Sequence, residues 1–269
     1  MAGSDSNFSG SIPQLYDRFG APLLFGPYAA DMVRRLAGMR EGRLLETAAG
    51  TGILTQALST GLRNGIEIVA TDLNQPMLDH AATKTDMGRV RFQQADALAL
   101  PFADRAFDAV VCQFGIMFFP DRVAGMREAR RVLKPGGRFL FSAWGRLVDN
   151  PVMAEAVAGM ARRYPAHPSW FMERVPCGYH DVDRIRADLR AAGFADASIE
   201  TVRLMGRAAC ARDAATMLCQ GSPMRAEIGT LDPGGLEDAT AAAAGAISAR
   251  FGEGKLEMPL VALVIETVA

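Results

Sequence analysis

Between Arg43 and Ala143, short apolar runs alternate with longer amphipathic ones, and this alternation restricts the fold more than any other feature of the sequence. The apolar runs lie at 43–47, 66–71, 90–93, 107–114 and 138–143. Each is too short for a helix, and the intervening segments carry helix signals. Pro76 sits at a helix-opening position. A helix expected over about 122–133 runs into Lys134-Pro135-Gly136-Gly137, which reads as a turn. Strands alternating with helices in this way imply βαβ units and a parallel sheet. The centre of the fourth run, Ala109-Val110-Val111-Cys112, is apolar on both faces, as a central strand covered on both sides must be.

Outside this block the pattern loosens. Residues 12–38 read as two helical stretches separated by a break around Gly20-Ala21-Pro22 and Gly26-Pro27. Residues 150–191 read as mainly helical with a proline-rich break, 198–204 as a strand, 211–251 as interrupted helix and 256–268 as a last strand. The two late strands fit the same sheet if they pair antiparallel with each other or with its edge. The fold class expected is α/β: a Rossmann-like, doubly wound, mostly parallel seven-stranded sheet with an antiparallel last strand and helical cap segments. The expected organisation is N-terminal helices forming a lid over 1–42, a ligand-binding core over 43–145, and the remainder of the same domain over 146–269, with helical insertions around the acceptor site.

Composition narrows the function classes. Of 269 residues, 49% are hydrophobic and 22% charged, so the chain can bury a core. The net charge of −1 supplies no basic face for a polyanion, which argues against a nucleic-acid partner. The four cysteines form no C-x-x-C pair and there are three histidines, which argues against a metal site. No apolar run reaches the roughly 18 residues of a membrane span and the first ten residues are polar, so a cytoplasmic setting without a membrane partner is expected. The scarcity of lysine beside abundant Arg, Ala and Gly goes with GC-rich bacterial genomes. A homodimer is compatible with the sequence, which fixes no oligomeric state.

In an open α/β sheet, ligands bind beyond the carboxyl ends of the strands. At those ends stand Glu46 with Ala48-Ala49-Gly50-Thr51-Gly52, then Asp72, then Ala95-Asp96-Ala97, then Gln113-Phe114-Gly115. Gly50 and Gly52 permit a tight turn and close approach of the backbone to a ligand. The following helix directs free N–H groups at the site. Asp72 follows the loop by about 20 residues, where an acid can accept from both hydroxyls of a ribose. A dinucleotide would fit the same frame, but the third position of its glycine fingerprint is Thr55. A carboxylate at Glu46 would also repel a pyrophosphate. It suits a ligand that brings an ammonium group and no phosphate.

Leu45-Glu46-Thr47-Ala48-Ala49-Gly50-Thr51-Gly52 resembles the first motif of the class I S-adenosylmethionine (SAM)-dependent methyltransferases. Thr71-Asp72-Leu73-Asn74-Gln75-Pro76-Met77-Leu78 resembles their acidic second motif. Gln94-Ala95-Asp96-Ala97 with Leu100-Pro101-Phe102 and Phe107-Asp108 resembles the third and fourth, and Arg130-Arg131-Val132-Leu133-Lys134-Pro135-Gly136-Gly137 the turn before the fifth strand. The matches span 43–143 in order, and the branch resembled is the type 11, ubiquinone/menaquinone-biosynthesis-like one. One departure is Ala48, where the family usually has glycine; alanine is tolerable there if φ stays negative.

The resemblance implies SAM as cofactor, with S-adenosylhomocysteine (SAH) as product. It implies that Glu46 and the loop at Ala48, Gly50, Thr51 and Gly52 hold the methionine end. Asp72 would bind the ribose, Leu73 and Met77 would pack near the adenine, and Asp96 with Ala95 and Ala97 would read it. Gln113 and Phe114 would close the floor under the sulfonium. Acceptor-site candidates are Tyr16 and Phe25 from the N-terminal helices, Met117 and Phe118 after the fourth strand, and Trp144 and Trp170. His180 is the candidate general base, because imidazole titrates near neutrality. Core packing competes as an explanation for the Met117-Phe118-Phe119-Pro120 stretch, and a structural role for His180. Asp108, at the opposite end of its strand, reads as structural. The expected reaction is in-line transfer of the SAM methyl to an O, N, S or C nucleophile of a small molecule. Such a transfer rests on positioning and needs a base only for a protonated nucleophile. The alternatives are a SAM- or SAH-binding protein without turnover of its own and an NAD(P)-dependent oxidoreductase.

Overall fold

The computed structural model describes residues 12–84 and 87–269. Seven strands form one sheet: β1 (Gly42–Glu46), β2 (Ile66–Asp72), β3 (Val90–Gln94), β4 (Phe107–Gln113), β5 (Leu133–Trp144), β6 (Ala197–Ala208) and β7 (Leu256–Val268). Their order is β3-β2-β1-β4-β5-β7-β6. The first five pair in parallel, and β7 is antiparallel to both β5 and β6. Six strands therefore run one way and the last runs against them, inserted between β5 and β6. The apolar centre of β4 lies in mid-sheet, with Ala109, Val110, Val111 and Cys112 all buried. Strand order reverses between β1 and β4, so a crevice opens there beyond their carboxyl ends.

Two local expectations are corrected. Lys134–Gly137 is not a free turn: β5 already starts at Leu133, which pairs with Phe107 before the register shifts to Ala109–Arg138. The cause is pairing at the sheet base. Lys134 bridges to Asp108, Gly136 N–H donates to the Ala269 carbonyl, and Ala269 N–H donates to Gly137. Asp108 also accepts from the Arg43 N–H at 2.8 Å, at the end of the sheet away from the crevice.

The N-terminal helices are not broken at Gly20–Pro22 either. Helix Ile12–Leu15 continues into a π-helix, Tyr16–Phe25, and on into helix Gly26–Leu36. Pro22 removes a donor and crowds the preceding turn, and the chain answers with the wider register instead of stopping. Gly26 N–H reaches back five residues to the Ala21 carbonyl. Pro27 falls in the first turn of the next helix, where its missing N–H costs nothing.

Helices Pro151–Arg163, Phe171–Arg174 and Val182–Ala191 lie between β5 and β6 in sequence; Ala211–Gln220, Met224–Leu231 and Leu236–Phe251 lie between β6 and β7. The alanine-rich last helix packs closely on Pro151–Arg163. A Cβ at Gly159 would stand 2.5 Å from the Ala242 carbonyl oxygen. One buried apolar cluster takes in Leu23 and Tyr28 from the N-terminal helices, the sheet, and Met153, Ala215 and Ile247 from the cap. Among the described residues, no helix is long and apolar enough to cross a membrane.

Candidate functional site

A cavity of about 330 Å³ lies at the carboxyl ends of β1, β2, β3 and β4. The loop after β1 is shaped by left-handed backbone at Ala48 (φ 53°), Gly50 (φ 56°) and Gly52 (φ 77°). The condition under which alanine would be tolerated at position 48, a negative φ, is therefore not met. The loop is tied on both sides: Thr47 N–H donates to the Val111 carbonyl on β4 and Ala49 N–H to the Thr71 carbonyl on β2. Those two bonds force the curl at Ala48, whatever residue occupies it.

The two glycines divide the work. A Cβ on Gly50 would meet only the Met77 methyl at 3.9 Å, so Gly50 opens onto the cavity. A Cβ on Gly52 would stand 2.9 Å from that of Ala81, so Gly52 lets helices Ile53–Gly61 and Gln75–Ala82 come together. Gly52 and Thr51 do not line the cavity; Thr51 is buried, its hydroxyl 3.4 Å from Asp17 Oδ1.

Glu46 lies just behind this loop, 1% exposed and outside the cavity lining. Its Oε2 has no hydrogen-bond partner among the described residues. Burial pushes its carboxyl up to about 8; the Thr55 hydroxyl holds it back, the nearby Asp72 adds to the rise and the Lys84 ammonium opposes it. Asp72 lines the cavity with both oxygens already engaged. Oδ2 accepts from Gly50 N–H and Oδ1 from Asn74 N–H, each at 2.8 Å. Burial raises its pKa, and these donors hold it back. Carboxylate oxygens have two lone pairs, so Asp72 retains acceptor capacity.

Leu73 stands on the rim, 53% exposed, with Met77 buried below it. Asp96 lines the cavity beside Ala95 and Ala97, its Oδ1 taking the Leu98 N–H at 2.9 Å. From β4, Gln113 donates Nε2–H to the Phe25 carbonyl at 3.2 Å, while its buried Oε1 has no partner among the described residues. Phe114 is left-handed (φ 53°), and its N–H donates to Ser142 Oγ. Such strain is held only where the surroundings overdetermine it. Here the surroundings are the Trp144 ring, stacked 3.9 Å away at 4°, and the Ala48 loop. A Cβ on Gly115 would stand 2.4 Å from that of Ala48, so the two loops touch across the crevice.

The other side of the cavity is apolar: Met117, Phe118, Phe119, Pro120 and Val175. Tyr16 lines it from the N-terminal segment, and burial raises its phenol pKa, with Asp72 adding to the rise. Phe25 stacks behind Tyr16 at 4.6 Å and Trp144 lies behind Phe114, so neither lines the cavity. Trp170 is not at the cavity. Glu227 takes the Phe171 N–H at 2.8 Å, drawing this stretch onto helix Met224–Leu231, and the indole stacks on His167 at 4.2 Å. His180 is also elsewhere. Its Nδ1 lies 2.7 Å from the Cys177 carbonyl, which folds the exposed ring back on its own turn. Asn74, Leu98, Gly115 and Val175 line the cavity without having been singled out from sequence. Asn74 carried a signal, two residues beyond Asp72 in the position of an Asx turn; Val175 carried none.

A methyltransferase-domain family model matches residues 45–141. The chain is 37% identical over 195 residues to the ubiquinone/menaquinone biosynthesis C-methyltransferase UbiE of Idiomarina loihiensis, covering 65% of this chain and 74% of that one. It is 34% identical to the demethylmenaquinone methyltransferase of Deinococcus radiodurans, covering 56% and 67%. Other relatives match over a smaller share: that of Thermus thermophilus is 43% identical, with 54% of its length covered. Among solved structures, the YcgJ protein of Bacillus subtilis superposes with a TM-score of 0.57 at 22% identity, covering 90% of this chain and 97% of that one. Haemonchus contortus phosphoethanolamine N-methyltransferase 2 in complex with SAM gives 0.60 at 16% identity, covering 95% and 56%. At those identities the two structures speak for the fold.

Proposed function

The chain belongs to the class I SAM-dependent methyltransferases, in their ubiquinone/menaquinone-biosynthesis-like branch, and from that premise we propose that it methylates a small, mainly apolar aromatic acceptor, a quinol ring carbon being the first candidate. Membership in this family speaks against the nucleotide oxidoreductase, and for an enzyme over a SAM- or SAH-binding protein without turnover of its own. The observation that carries the acceptor reading is the apolar side of the cavity. Met117, Phe118, Phe119, Pro120 and Val175 present no titratable group there. A charged or strongly polar acceptor would lose its hydration without compensation. The C-methyltransferase named among the relatives supports the same reading.

The residues present fit the cofactor. A buried carboxylate with an orphan oxygen at Glu46 calls for a cationic donor, which the methionine ammonium would supply. Asp72 has lone pairs left for ribose hydroxyls, and Leu73 offers an uncovered apolar face to a flat ring. When bound, SAM supplies an electrophilic methyl group on a sulfonium whose departure as a neutral thioether is favourable. The chain's own work is then positional. The Gly50 turn, with Glu46 buried behind it, would hold one end of the cofactor, and Asp72 and Asp96 the other. Phe114, braced by Trp144, would form the floor. The apolar wall would orient the acceptor ring, and Tyr16 would exclude water. Holding reactants in near-attack geometry is the larger part of such a transfer. We further take the acceptor to be a small molecule and not a nucleic acid, and the setting to be cytoplasmic; the net charge of −1 and four free cysteines support this.

The test is transfer of labelled methyl from SAM to a short-chain demethylmenaquinol, against phosphoethanolamine and a small amine as controls. Label on the quinol ring alone is the expected result; label on the polar acceptors alone would overturn the reading.

A further inference from the structure

Tyr16 covers the cavity, and the residue beside it is held by the core. Asp17 Oδ1 accepts from Lys84 Nζ and lies 3.4 Å from the donor Thr51 Oγ1, and Asp17 Oδ2 lies 3.5 Å from His80 Nε2. Thr51 belongs to the glycine loop, His80 to helix Gln75–Ala82, and Lys84 to the turn just after it. One carboxylate of the N-terminal segment is thus gripped by three groups of the cofactor-binding half. The pair is largely withdrawn from solvent, with side chains 12% exposed at Lys84 and 28% at Asp17, so it is screened less than a surface pair. Lysine is also scarce: of three in the chain, Lys134 is committed to Asp108 at the far end of the sheet.

The rest of the segment is anchored differently. Tyr28 donates to the Val202 carbonyl, Gln113 donates to Phe25, and Arg35 pairs with Glu200. Those ties fix the segment from Phe25 onward to the sheet. The stretch carrying Tyr16 lies N-terminal to them, on a π-helical turn that packs on β6 and on helix Ala211–Gln220, a conformation found often at functional sites. The cavity of about 330 Å³ is at the lower end for one drug-sized ligand, yet a cofactor and an acceptor must both enter. An outward shift of Tyr16, which lines it, would enlarge it.

We propose that Asp17 is an ionic latch: clasped by Lys84, His80 and Thr51, it positions Tyr16 over the cavity, and its strength sets the rate at which SAH leaves. The inference rests on the cofactor reading above and is independent of the acceptor. SAH release from the full-length enzyme, followed by stopped flow, tests it. Asp17→Asn and Lys84→Met are expected to release SAH about tenfold faster with association little changed. Asp17→Glu, and the exchange Asp17→Lys with Lys84→Glu, should return release to near the wild-type rate, which a merely structural role would not require. Release from both single variants within twofold of wild type, or a charge exchange as fast as the single variants, would overturn the latch. Should either single variant fail to fold, His80→Ala, which removes another partner of Asp17, decides: release more than twofold faster than wild type supports the latch, and release within twofold overturns it. Wild-type enzyme that bound no SAH would overturn the cofactor reading together with the latch, whereas tight binding with latch-independent release overturns the latch alone.

Discussion

The two sides of the cavity are made of different material. The cofactor side is built from backbone: three left-handed residues after β1, two N–H groups closed onto Asp72, and a strained Phe114 at the end of β4. The acceptor side is built from side chains: Met117, Phe118, Phe119 and Pro120 on the loop after β4, and Val175 from a turn some 55 residues later. A backbone-built side cannot change without refolding the loop, so it suits a ligand that never changes. A side-chain-built side can be rewritten residue by residue, so it suits whatever acceptor a given enzyme needs.

That division can be broken most severely at Glu46. Glu46→Gln should weaken SAH binding at least 100-fold by calorimetry, because a charge-assisted partner for the ammonium is lost. The same change should raise the melting temperature of the ligand-free enzyme by a few degrees at pH 8. The sign follows from the carboxyl being pushed up to about 8. Between the ordinary carboxylate range and that value, the folded protein keeps a proton the unfolded chain has lost. Wild-type stability therefore falls as pH rises through this window, and the variant's does not. Equal melting curves at pH 8 would show that the buried charge costs nothing.

Asp72→Ala comes next. It strips acceptors from the Gly50 and Asn74 N–H groups, so it should cost about 1–3 kcal/mol of stability as well as roughly 30-fold in SAH affinity. A change confined to the other side sharpens the contrast: Phe118→Ala should raise the acceptor KM about tenfold while SAH affinity stays within twofold. If SAH affinity fell equally, the two sides would not be separable. The smallest expected effect is at Ala48. Ala48→Gly should stabilise by about 0.5 kcal/mol, the left-handed penalty of alanine being partly offset by the flexibility glycine adds to the unfolded chain; denaturant unfolding measures it. His180→Ala should leave turnover within twofold.

The cofactor side was legible because its determinants are local. Gly50, Asp72 and Asp96 each sit at a strand end that the alternation of apolar runs locates, and the strand direction follows from the same alternation. The acceptor candidates fared unevenly for the opposite reason. Met117 and Phe118 lie next to a legible strand end and reach the cavity. Trp170 and His180 lie in a segment without a repeat to fix its direction, where the Glu227 and Cys177 contacts turn them away. Ala48 shows a subtler limit: its φ is imposed by hydrogen bonds to two neighbouring strands, which a reading of one loop does not contain.

By itself, the sequence determined the parallel sheet, the place of its switch point, and the acids and glycines at the strand ends there, because strand period and turn chemistry are properties of a few consecutive residues. Tertiary structure alone decided that β7 inserts between β5 and β6, that the N-terminal helix passes through Pro22 in a π register, and that Asp17 meets Lys84. Each of these depends on groups far apart in the chain, and their meeting follows from how the whole core packs.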